Sequence, residues 1–305
     1  MAKGFSRLLF LAASLALGIY LFTTVSGPAG AAPAAMQDAA PMRFVVVRSN
    51  EPGCEPVCAE WISAEGAISA KTPGELKNLL KKLGGRKLPV VLFSPGGDVD
   101  AAIALGRMIR QNKLDTAVGA TRFIGCQPAD KDCTANDGKG AHLLGTAYAN
   151  GAFCNSACPL VLAGGVHRQV GQWAFLGVHQ ITTTFTKTQL TYRTKYRVVN
   201  GKKRITEKKV VARKNVGNYT TYEMNKAVER KLTAYLKEMG VDQSIIEIMK
   251  TTPATDIRQI ALFDLLQTKL VTSLDGVDVL ASSKICTTIP AAANCRLFTV
   301  ADLKQ

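Results

Sequence analysis

Ten residues decide the fold class of this chain: Leu88-Pro89-Val90-Val91-Leu92-Phe93-Ser94-Pro95-Gly96-Gly97. The first six are an apolar run, which is typical of a buried β-strand, and the last four favour a turn. A helix capped by Thr72 is predicted before this unit, ending at Gly84-Gly85, and a second helix begins at Asp98. Helix, buried strand, glycine turn and helix in this order predict an α/β fold with a mainly parallel sheet. Sites in such sheets form at the carboxyl ends of the strands, where Ser94 to Gly97 lie.

A first hairpin-like unit is predicted upstream of this region. Phe44-Val45-Val46-Val47 is a short β-branched run, and residues 62–68 bracket a turn at Glu65-Gly66.

The composition narrows the class of protein. The chain has 305 residues, of which 47% are hydrophobic and 20% charged, so a disordered chain is excluded. One long apolar run also excludes a multi-span membrane protein. Eight cysteines indicate an oxidising compartment, and a net charge of +15 indicates an anionic partner.

The amino-terminal segment indicates export. Lys3 and Arg7 precede an uncharged run over residues 8–25, and small residues with two A-x-A cleavage frames follow it. Residues 1–35 are therefore predicted to be a signal peptide or an N-terminal membrane anchor, and the sequence leaves both open. The rest of the chain is expected in the periplasm or at the extracytoplasmic face of the inner membrane.

The cysteines lie in four close pairs along the chain. They are Cys54 and Cys58, Cys126 and Cys133, Cys154 and Cys158, and Cys286 and Cys295. Structural disulfides are expected, with local closure the simplest pairing for the second and fourth pairs, although sequence alone does not decide the connectivity. A zinc site is disfavoured because no C-x-x-C spacing occurs and no histidine completes a zinc-finger pattern.

Two side chains are candidates for chemistry. Residues 151–165 predict a turn and a short helix that starts near Ser156 and ends at a glycine pair. A serine in this place is most often a helix cap. Residues 173–180 predict a strand with His179 at its far end, 23 residues after Ser156. A lone histidine there is most often structural, so only the combination points to a site.

These motifs together carry a family resemblance. Ser94-Pro95-Gly96-Gly97 opening one helix, Ser156-Ala157 opening another and Val178-His179-Gln180 ending a strand resemble the ClpP-type serine proteases of the ClpP/crotonase superfamily. The chain looks closest to an exported branch whose nucleophile lies within C-x-S-x-C. The resemblance covers about residues 44–275 and implies a ClpP/crotonase-like parallel-sheet spiral fold over residues 43–275, with a basic β-hairpin insertion.

The resemblance also implies roles and partners. Ser156 would be the nucleophile, His179 the general base, and the N–H groups of Gly97 and Ala157 the oxyanion hole. Gly96 and Gly97 would be glycine because a substrate backbone approaches them. The expected activity is a peptidase for unfolded or short polypeptides, in a homo-oligomer, with no cofactor and no metal. An acyl-CoA-processing relative is disfavoured because CoA thioesters are not expected outside the cytoplasm.

The third catalytic member departs from the family pattern. The family's aspartate would fall near residues 250–253, where the chain has no carboxylate. Asp256 and Glu247 are the nearest candidates, and neither fits the spacing. A Ser-His dyad held by a hydroxyl or a backbone carbonyl is one alternative. A catalytically inactive protein that binds peptides or anionic envelope components is the other.

A basic segment is the other unusual feature. Residues 187–214 contain eleven Lys or Arg and one Glu, a net charge of +10, and predict a hairpin around a type I′ turn at Asn200-Gly201. An anionic lipid or envelope polymer, or an acidic peptide, is the expected partner, and a solubilising arm is the alternative. Nucleic acid is not expected. The contact residues would be Lys202, Lys203, Arg204, Lys208 and Lys209. Residues 276–305 form a C-terminal tail with Cys286 and Cys295, for which the sequence indicates no function.

Overall fold

Short β-branched runs alternate with amphipathic helices along the chain, and the computed structural model describes them over residues 39–131, 133 and 142–297. The strands are β1 (Arg43–Ser49), β2 (Val57–Glu65), β3 (Val90–Phe93), β4 (Thr116–Val118), β5 (Ala120–Ile124), β6 (His142–Tyr148), β7 (Phe153–Asn155), β8 (Arg168–Gln169), β9 (Phe175–Val178), β10 (Thr183–Val199), β11 (Lys202–Thr221), β12 (Arg258–Gln259) and β13 (Cys295–Leu297). The helices are α1 (Thr72–Leu83), α2 (Val99–Gln111), α3 (Cys158–Leu162), α4 (Lys226–Met239), α5 (Ser244–Thr251), α6 (Leu262–Gln267) and α7 (Asp278–Ala281), and a 3-10 helix spans Ser283–Cys286.

The main sheet mixes parallel and antiparallel pairs. Its strand order is β5-β6-β1-β2-β3-β4-β8, with β13 added beside β2. The pairs β1-β6, β2-β3, β3-β4 and β4-β8 are parallel, whereas β1-β2, β5-β6 and β2-β13 are antiparallel. The α/β class predicted from residues 88–97 is therefore confirmed.

The first hairpin differs from its prediction in where it turns. Strands β1 and β2 pair antiparallel, but their connection is residues 50–56, and Glu65-Gly66 only ends β2. Polar residues such as Glu60 and Ser63 interrupt the apolar run of β2 although both are buried, which is why the sequence indicated a shorter strand. The prediction for Thr72 also differs from the structure, because Thr72 is the first residue of α1 and not its cap. Its Oγ1 accepts the N–H of Ser69, which precedes the helix, at 2.9 Å.

Apolar side chains cover both faces of the sheet. On one face, Val90 and Leu92 belong to the large core that also takes in residues of α1, α2, α4 and α5. On the other face, Val91 packs with Trp61 and with Val277, which precedes α7. Residues 277–281 therefore help to cover the second face of the sheet, which gives a structural role to part of a segment that the sequence left unexplained.

All eight cysteines form disulfides. The pairs are Cys54–Cys58, Cys126–Cys133, Cys154–Cys158 and Cys286–Cys295. The two local pairings favoured by the sequence are confirmed, and the other two are also local. Since no thiol remains free, none of the cysteines is available to bind zinc.

Two smaller sheets complete the fold. Strands β12, β9 and β7 form one, in which β7 and β9 run parallel, and β10 and β11 form the predicted hairpin. The hairpin is longer than residues 187–214, and Asn200 and Gly201 adopt the positive φ angles that a type I′ turn requires, 51° and 73°. Residues 1–35, the predicted signal peptide or anchor, lie outside the described residues. Among the residues described, no helix has both the length and the apolar character needed to span a membrane.

Candidate active site

Two neighbouring parallel strands bring the candidate nucleophile and base to one edge. Ser156 directly follows β7, and His179 directly follows β9. The two strands are paired in register up to Asn155 and Gly177, and the Ser156 N–H donates to the Gly177 carbonyl at 2.9 Å. Because parallel strands end at the same edge, both members of the sequence-predicted pair lie there and line one cleft.

The backbone at Ser156 is strained. Its φ is 61°, in the left-handed region, which costs a residue with a Cβ about 1–2 kcal/mol. The Cys154–Cys158 disulfide closes a small ring around Ser156 and holds this turn. Helix α3 begins at Cys158, two residues later than the sequence indicated, so Ser156 is not its cap. Such strained residues cluster at functional sites.

The Ser94 to Gly97 turn lies beside this serine. The Ser94 N–H donates to the Phe153 carbonyl, and the Ser94 carbonyl accepts the Asn155 N–H, each at 3.0 Å. Ser94 is therefore hydrogen-bonded alongside β7. The buried Ser94 hydroxyl shapes the turn, because it accepts the Gly96 N–H at 3.1 Å and donates to the Gly66 carbonyl at 2.7 Å.

Gly96 is a glycine because the protein's own backbone crowds it. A Cβ there would lie 2.5 Å from the Ser156 Cβ and 2.6 Å from the Asn155 carbonyl oxygen, at a φ of +103°. A Cβ on Gly97 would collide with the Ile68 carbonyl. The sequence-based prediction explained both glycines by the approach of a substrate backbone. In the structure, the space that a Cβ would need is instead filled by the protein's own atoms.

Two N–H groups beside Ser156 are available as oxyanion donors. Within the described ranges, neither the Gly97 nor the Ala157 N–H donates a hydrogen bond to the protein. Gly97 lines a cleft of about 210 Å³. The Ala157 nitrogen lies 2.9 Å from the position that a Gly96 Cβ would occupy. The lining residues are Ala67, Pro95, Gly96, Gly97, Ser156, His179, Thr182 and Ala254.

The imidazole of His179 is held in the tautomer that a general base needs. Its Nδ1 lies 2.7 Å from the Gln180 carbonyl oxygen, and since a carbonyl only accepts, Nδ1 carries the proton. The other nitrogen, Nε2, keeps its lone pair. It is buried and has no hydrogen-bond partner in the described part of the chain. A buried ring nitrogen without a partner costs about 1–3 kcal/mol, which is typical of groups retained for function.

The backbone replaces the missing carboxylate. Asp256, the candidate third member, is exposed, and its carboxylate accepts the Ile257 N–H at 2.8 Å. It does not hydrogen-bond to His179, whose Nδ1 is taken by the Gln180 carbonyl. Of the alternatives predicted for this place, a backbone carbonyl is the one observed. Glu247 instead pairs with Lys250.

Gln180 is the residue that sequence reasoning missed. Its N–H donates to the Thr252 carbonyl at 2.9 Å, and its side-chain amide donates to the Lys250 carbonyl at 3.1 Å. Its Oε1 accepts the Met224 N–H at 3.0 Å. The segment where the family would have its aspartate thus fixes Gln180, and Gln180 orients His179. The only signal in the sequence was the position of Gln180 directly after the histidine.

Two arginines hold the far end of α3. The Arg110 guanidinium donates to the carbonyls of Ala163, Gly164 and Gly165, at 2.8 to 3.0 Å. Arg168 donates to the Gly165 carbonyl as well, and burial lowers the pKa of its guanidinium to about 10. Cations at a helix carboxyl end are favourable, so both side chains support the helix that follows the nucleophile.

Burial lowers the pKa of His179 from its ordinary value of 6.5, and the Gln180 hydrogen bond opposes this only in part. The imidazole is therefore neutral, and able to accept a proton, over the whole neutral range. We expect the rate at which Ser156 reacts with an acylating probe to rise with pH and to reach half its maximum below pH 6.5. Probe reaction measured between acid and neutral pH tests this, and a midpoint above the ordinary histidine value would contradict it.

A second depression adjoins the cleft. It has a volume of about 350 Å³, shares Gly97 and Thr182 with the cleft, and lies between the start of α2 and the base of the hairpin. Asp98 and Asp100 line it, and Asp100 pairs with Lys231 at 2.6 Å. These two adjoining depressions are together called the groove below.

Comparison with known proteins gives distant structural likeness only. No protein-family model matches the chain, and the curated proteins contain no match either. Among solved structures, it is similar to a serine-to-alanine mutant of the 1510-N membrane-bound stomatin-specific protease, with 14% identity and a TM-score of 0.40 over 78% of this chain and 89% of that chain. A lysine-to-alanine mutant of that protease with a substrate peptide gives 15% identity and a TM-score of 0.39, over 70% of this chain and 74% of that chain. At these values the likeness assigns no activity and no residue role to this chain.

Proposed function

We propose that this protein is an exported ClpP-like serine hydrolase, acting as a peptidase through a Ser-His dyad. The observation that carries the proposal is that His179 Nε2, which is buried and has no hydrogen-bond partner among the described residues, lies in the same cleft as the strained Ser156. Buried ring nitrogens are usually hydrogen-bonded and strained backbone residues cluster at active sites, so the two features together in one cleft favour a catalytic pair.

The residues divide the proposed reaction between them. His179 takes the proton of the Ser156 hydroxyl at Nε2 while the oxygen attacks the substrate carbonyl. The N–H groups of Gly97 and Ala157 receive the negative charge that develops on the carbonyl oxygen. The protonated imidazole, still bonded to the Gln180 carbonyl, then gives its proton to the leaving amine. In the second half of the reaction, Nε2 takes a proton from water as the water oxygen attacks the acyl carbonyl, and the imidazolium then returns that proton to the Ser156 oxygen.

Compartment and partners are further parts of the proposal. Four disulfides support export, because such bonds persist in oxidising compartments. The second depression beside the cleft of Ser156 gives space for a polypeptide substrate on both sides of the reacting bond, which supports this substrate class. The exposed basic hairpin supports an anionic lipid or envelope polymer as a partner. Homo-oligomerisation stays an expectation that comes from the family resemblance.

The alternative is a non-catalytic protein that binds peptides in the same groove. The observation in its favour is that His179 Nδ1 bonds to the Gln180 carbonyl and, among the described residues, to no carboxylate, so a developing imidazolium would be stabilised by a carbonyl dipole instead of a full charge. Peptide binding would then remain without hydrolysis.

Reaction with a fluorophosphonate probe separates the two. The purified protein is expected to be labelled at one serine, and Ser156→Ala is expected to remove the label completely, because the probe needs an activated hydroxyl. Ser244→Ala, at an exposed serine of α5, is the matched control and should be labelled like the wild type. Labelling that is equal in wild type and Ser156→Ala, or absent from both, would show that the dyad is not catalytic.

A further inference from the structure

The hairpin of β10 and β11 has two uncovered faces. The strands pair with each other over their whole length and, within the described ranges, with no other strand. Most of their side chains are exposed. A two-stranded ribbon buries little by itself and is at best marginally stable alone. What the two faces carry therefore indicates what covers them.

The register assigns each side chain to a face. Three register shifts are all absorbed on β11, where Thr206, Val211 and Val216 have no direct partner. Alternation along β10 is therefore uninterrupted from Thr183 to Val199, and each β11 residue shares the face of its partner.

One face, the cation face, carries most of the hairpin's basic side chains, together with the stacked pair Phe185 and Tyr219. It has eight Lys or Arg and a single Glu, a net charge of +7. Arg193 lies directly opposite Lys209, and Arg197 directly opposite Arg204. Like charges in this arrangement destabilise a hairpin unless an anionic partner neutralises them. The members are Lys187, Arg193, Lys195, Arg197, Lys202, Arg204, Lys209 and Lys214, with Glu207 paired to Lys195.

The opposite face, the apolar face, combines aliphatic and tyrosine side chains. Tyr196, Val198 and Ile205 are 55%, 59% and 66% exposed, far more than apolar residues of a core. Lys208 lies over the Tyr192 ring at 4.2 Å, and Lys203 lies over the Tyr196 ring at 4.7 Å. The apolar members of this face are Leu190, Tyr192, Tyr196, Val198, Ile205 and Val210, and the face also holds the cations Lys203, Lys208 and Arg213.

The two faces correct the predicted contact patch. The five basic residues named from the sequence do not form one surface, because Lys203 and Lys208 lie on the apolar face while Lys202, Arg204 and Lys209 lie on the cation face. A net charge counted along the chain could not separate them, since the bulges on β11 change the alternation there.

We propose that the hairpin lies flat on an anionic lipid membrane, with its apolar face at the boundary between head groups and acyl chains. This is the strand counterpart of an interfacial amphipathic helix, whose apolar face enters about 5–10 Å. The ribbon is about 10 Å thick, so the cation face then lies at the level of the lipid phosphates. Tyrosine favours this boundary, and the two lysines over the tyrosine rings extend to the head groups.

Use of both faces favours a membrane over a soluble polyanion. A soluble polyanion would neutralise the cation face and leave six apolar side chains in water. A membrane removes the apolar face from water and neutralises the cation face at once. The inference deepens the anionic-partner part of the proposed function and does not depend on whether Ser156 is catalytic.

Amide hydrogen exchange of residues 183–221 in the full chain tests the proposal. With vesicles of equimolar phosphatidylcholine and phosphatidylglycerol, exchange in the hairpin is expected to slow about tenfold, because the membrane protects a marginal ribbon. With phosphatidylcholine vesicles alone, and in residues 72–83 of α1, it is expected not to change. This local measurement is independent of any binding by residues 1–35.

Variants identify the faces. The cation-face variant replaces Arg193, Arg197, Arg204 and Lys209 with Gln, and the apolar-face variant replaces Leu190, Tyr196, Val198 and Ile205 with Thr, which keeps β-propensity. Both are expected to lose the protection, whereas a charge-matched control with Lys77, Lys81, Lys82 and Lys87 replaced by Gln keeps it. An unchanged midpoint of thermal unfolding shows that each variant is folded.

Three results would overturn the proposal. One is protection that the apolar-face variant retains, and another is protection that the charge-matched control loses equally. The third is protection by soluble polyphosphate and not by vesicles, which would assign the cation face to a soluble polyanion. Fluorophosphonate labelling reports on Ser156 and not on the hairpin. A failure of the membrane proposal can therefore be distinguished from a failure of the hydrolase proposal.

Discussion

His179→Ala is expected to slow peptide hydrolysis and probe labelling by about a thousandfold, because a positioned general base contributes a factor of about 10²–10⁴. Among the described residues that line the cleft, His179 has the one side chain that can act as a general base. The fold should remain, since His179 is only half-buried and, within the described part of the chain, its side chain bonds only to the adjacent Gln180. Single-turnover labelling rates at neutral pH measure the effect.

The double variant Ser156→Ala, His179→Ala supplies a second readout. The effects of substituting residues that act as one unit are strongly non-additive. The double variant should therefore hydrolyse peptide no more slowly than Ser156→Ala alone. His167→Ala is the matched control, because His167 is exposed and pairs with Asp115 outside the cleft. Loss of the same size in His167→Ala, or no loss in His179→Ala, would exclude His179 as the base.

Gly96→Ala is expected to destabilise the protein by about 4 kcal/mol or more and to abolish labelling. A methyl group at this φ of +103° meets the Ser156 Cβ at 2.5 Å and the Asn155 carbonyl oxygen at 2.6 Å. Either the turn or the nucleophile must move, and Ser156 cannot yield freely because the Cys154–Cys158 ring holds it. Urea unfolding and probe labelling report the two consequences separately.

Gly85→Ala isolates the backbone part of this effect. Gly85 has a φ of +90°, and no atom lies within 4 Å of its added Cβ. Its substitution should cause only the strain of a left-handed alanine, about 1–2 kcal/mol, and leave labelling unchanged. If Gly96→Ala and Gly85→Ala lose the same free energy of unfolding and both keep their labelling, the close approach of the turn to Ser156 is not needed for activity.

The sequence predicted the elements whose signals are local. The apolar run before Ser94, the glycines after α1 and the Asn200-Gly201 turn each depend on a few neighbouring residues, and all three predictions are confirmed. The turn between β1 and β2 was missed because Glu60 and Ser63, polar but buried, hide the length of β2. Burial of a polar side chain depends on tertiary partners, which no local pattern reports.

The site was predictable in its side chains and not in its backbone. Ser156 and His179 were indicated as candidates by their place in three motifs that together resemble a family pattern, and the strands β7 and β9 place both at one edge. The group that orients His179 is the carbonyl of Gln180, and every residue has a carbonyl, so composition gives no signal for it. Asp256, the candidate carboxylate of the sequence, takes no part in the hydrogen bond of His179 Nδ1 and accepts the Ile257 N–H instead.

The disulfides have a consequence for how the chain reaches its oxidised state. Every bond joins cysteines separated by only four to nine positions. Short loops close most readily, so each thiol meets its native partner at a higher effective concentration than any distant thiol. Oxidative folding should therefore proceed with little mispairing, and the protein should mature without a disulfide isomerase.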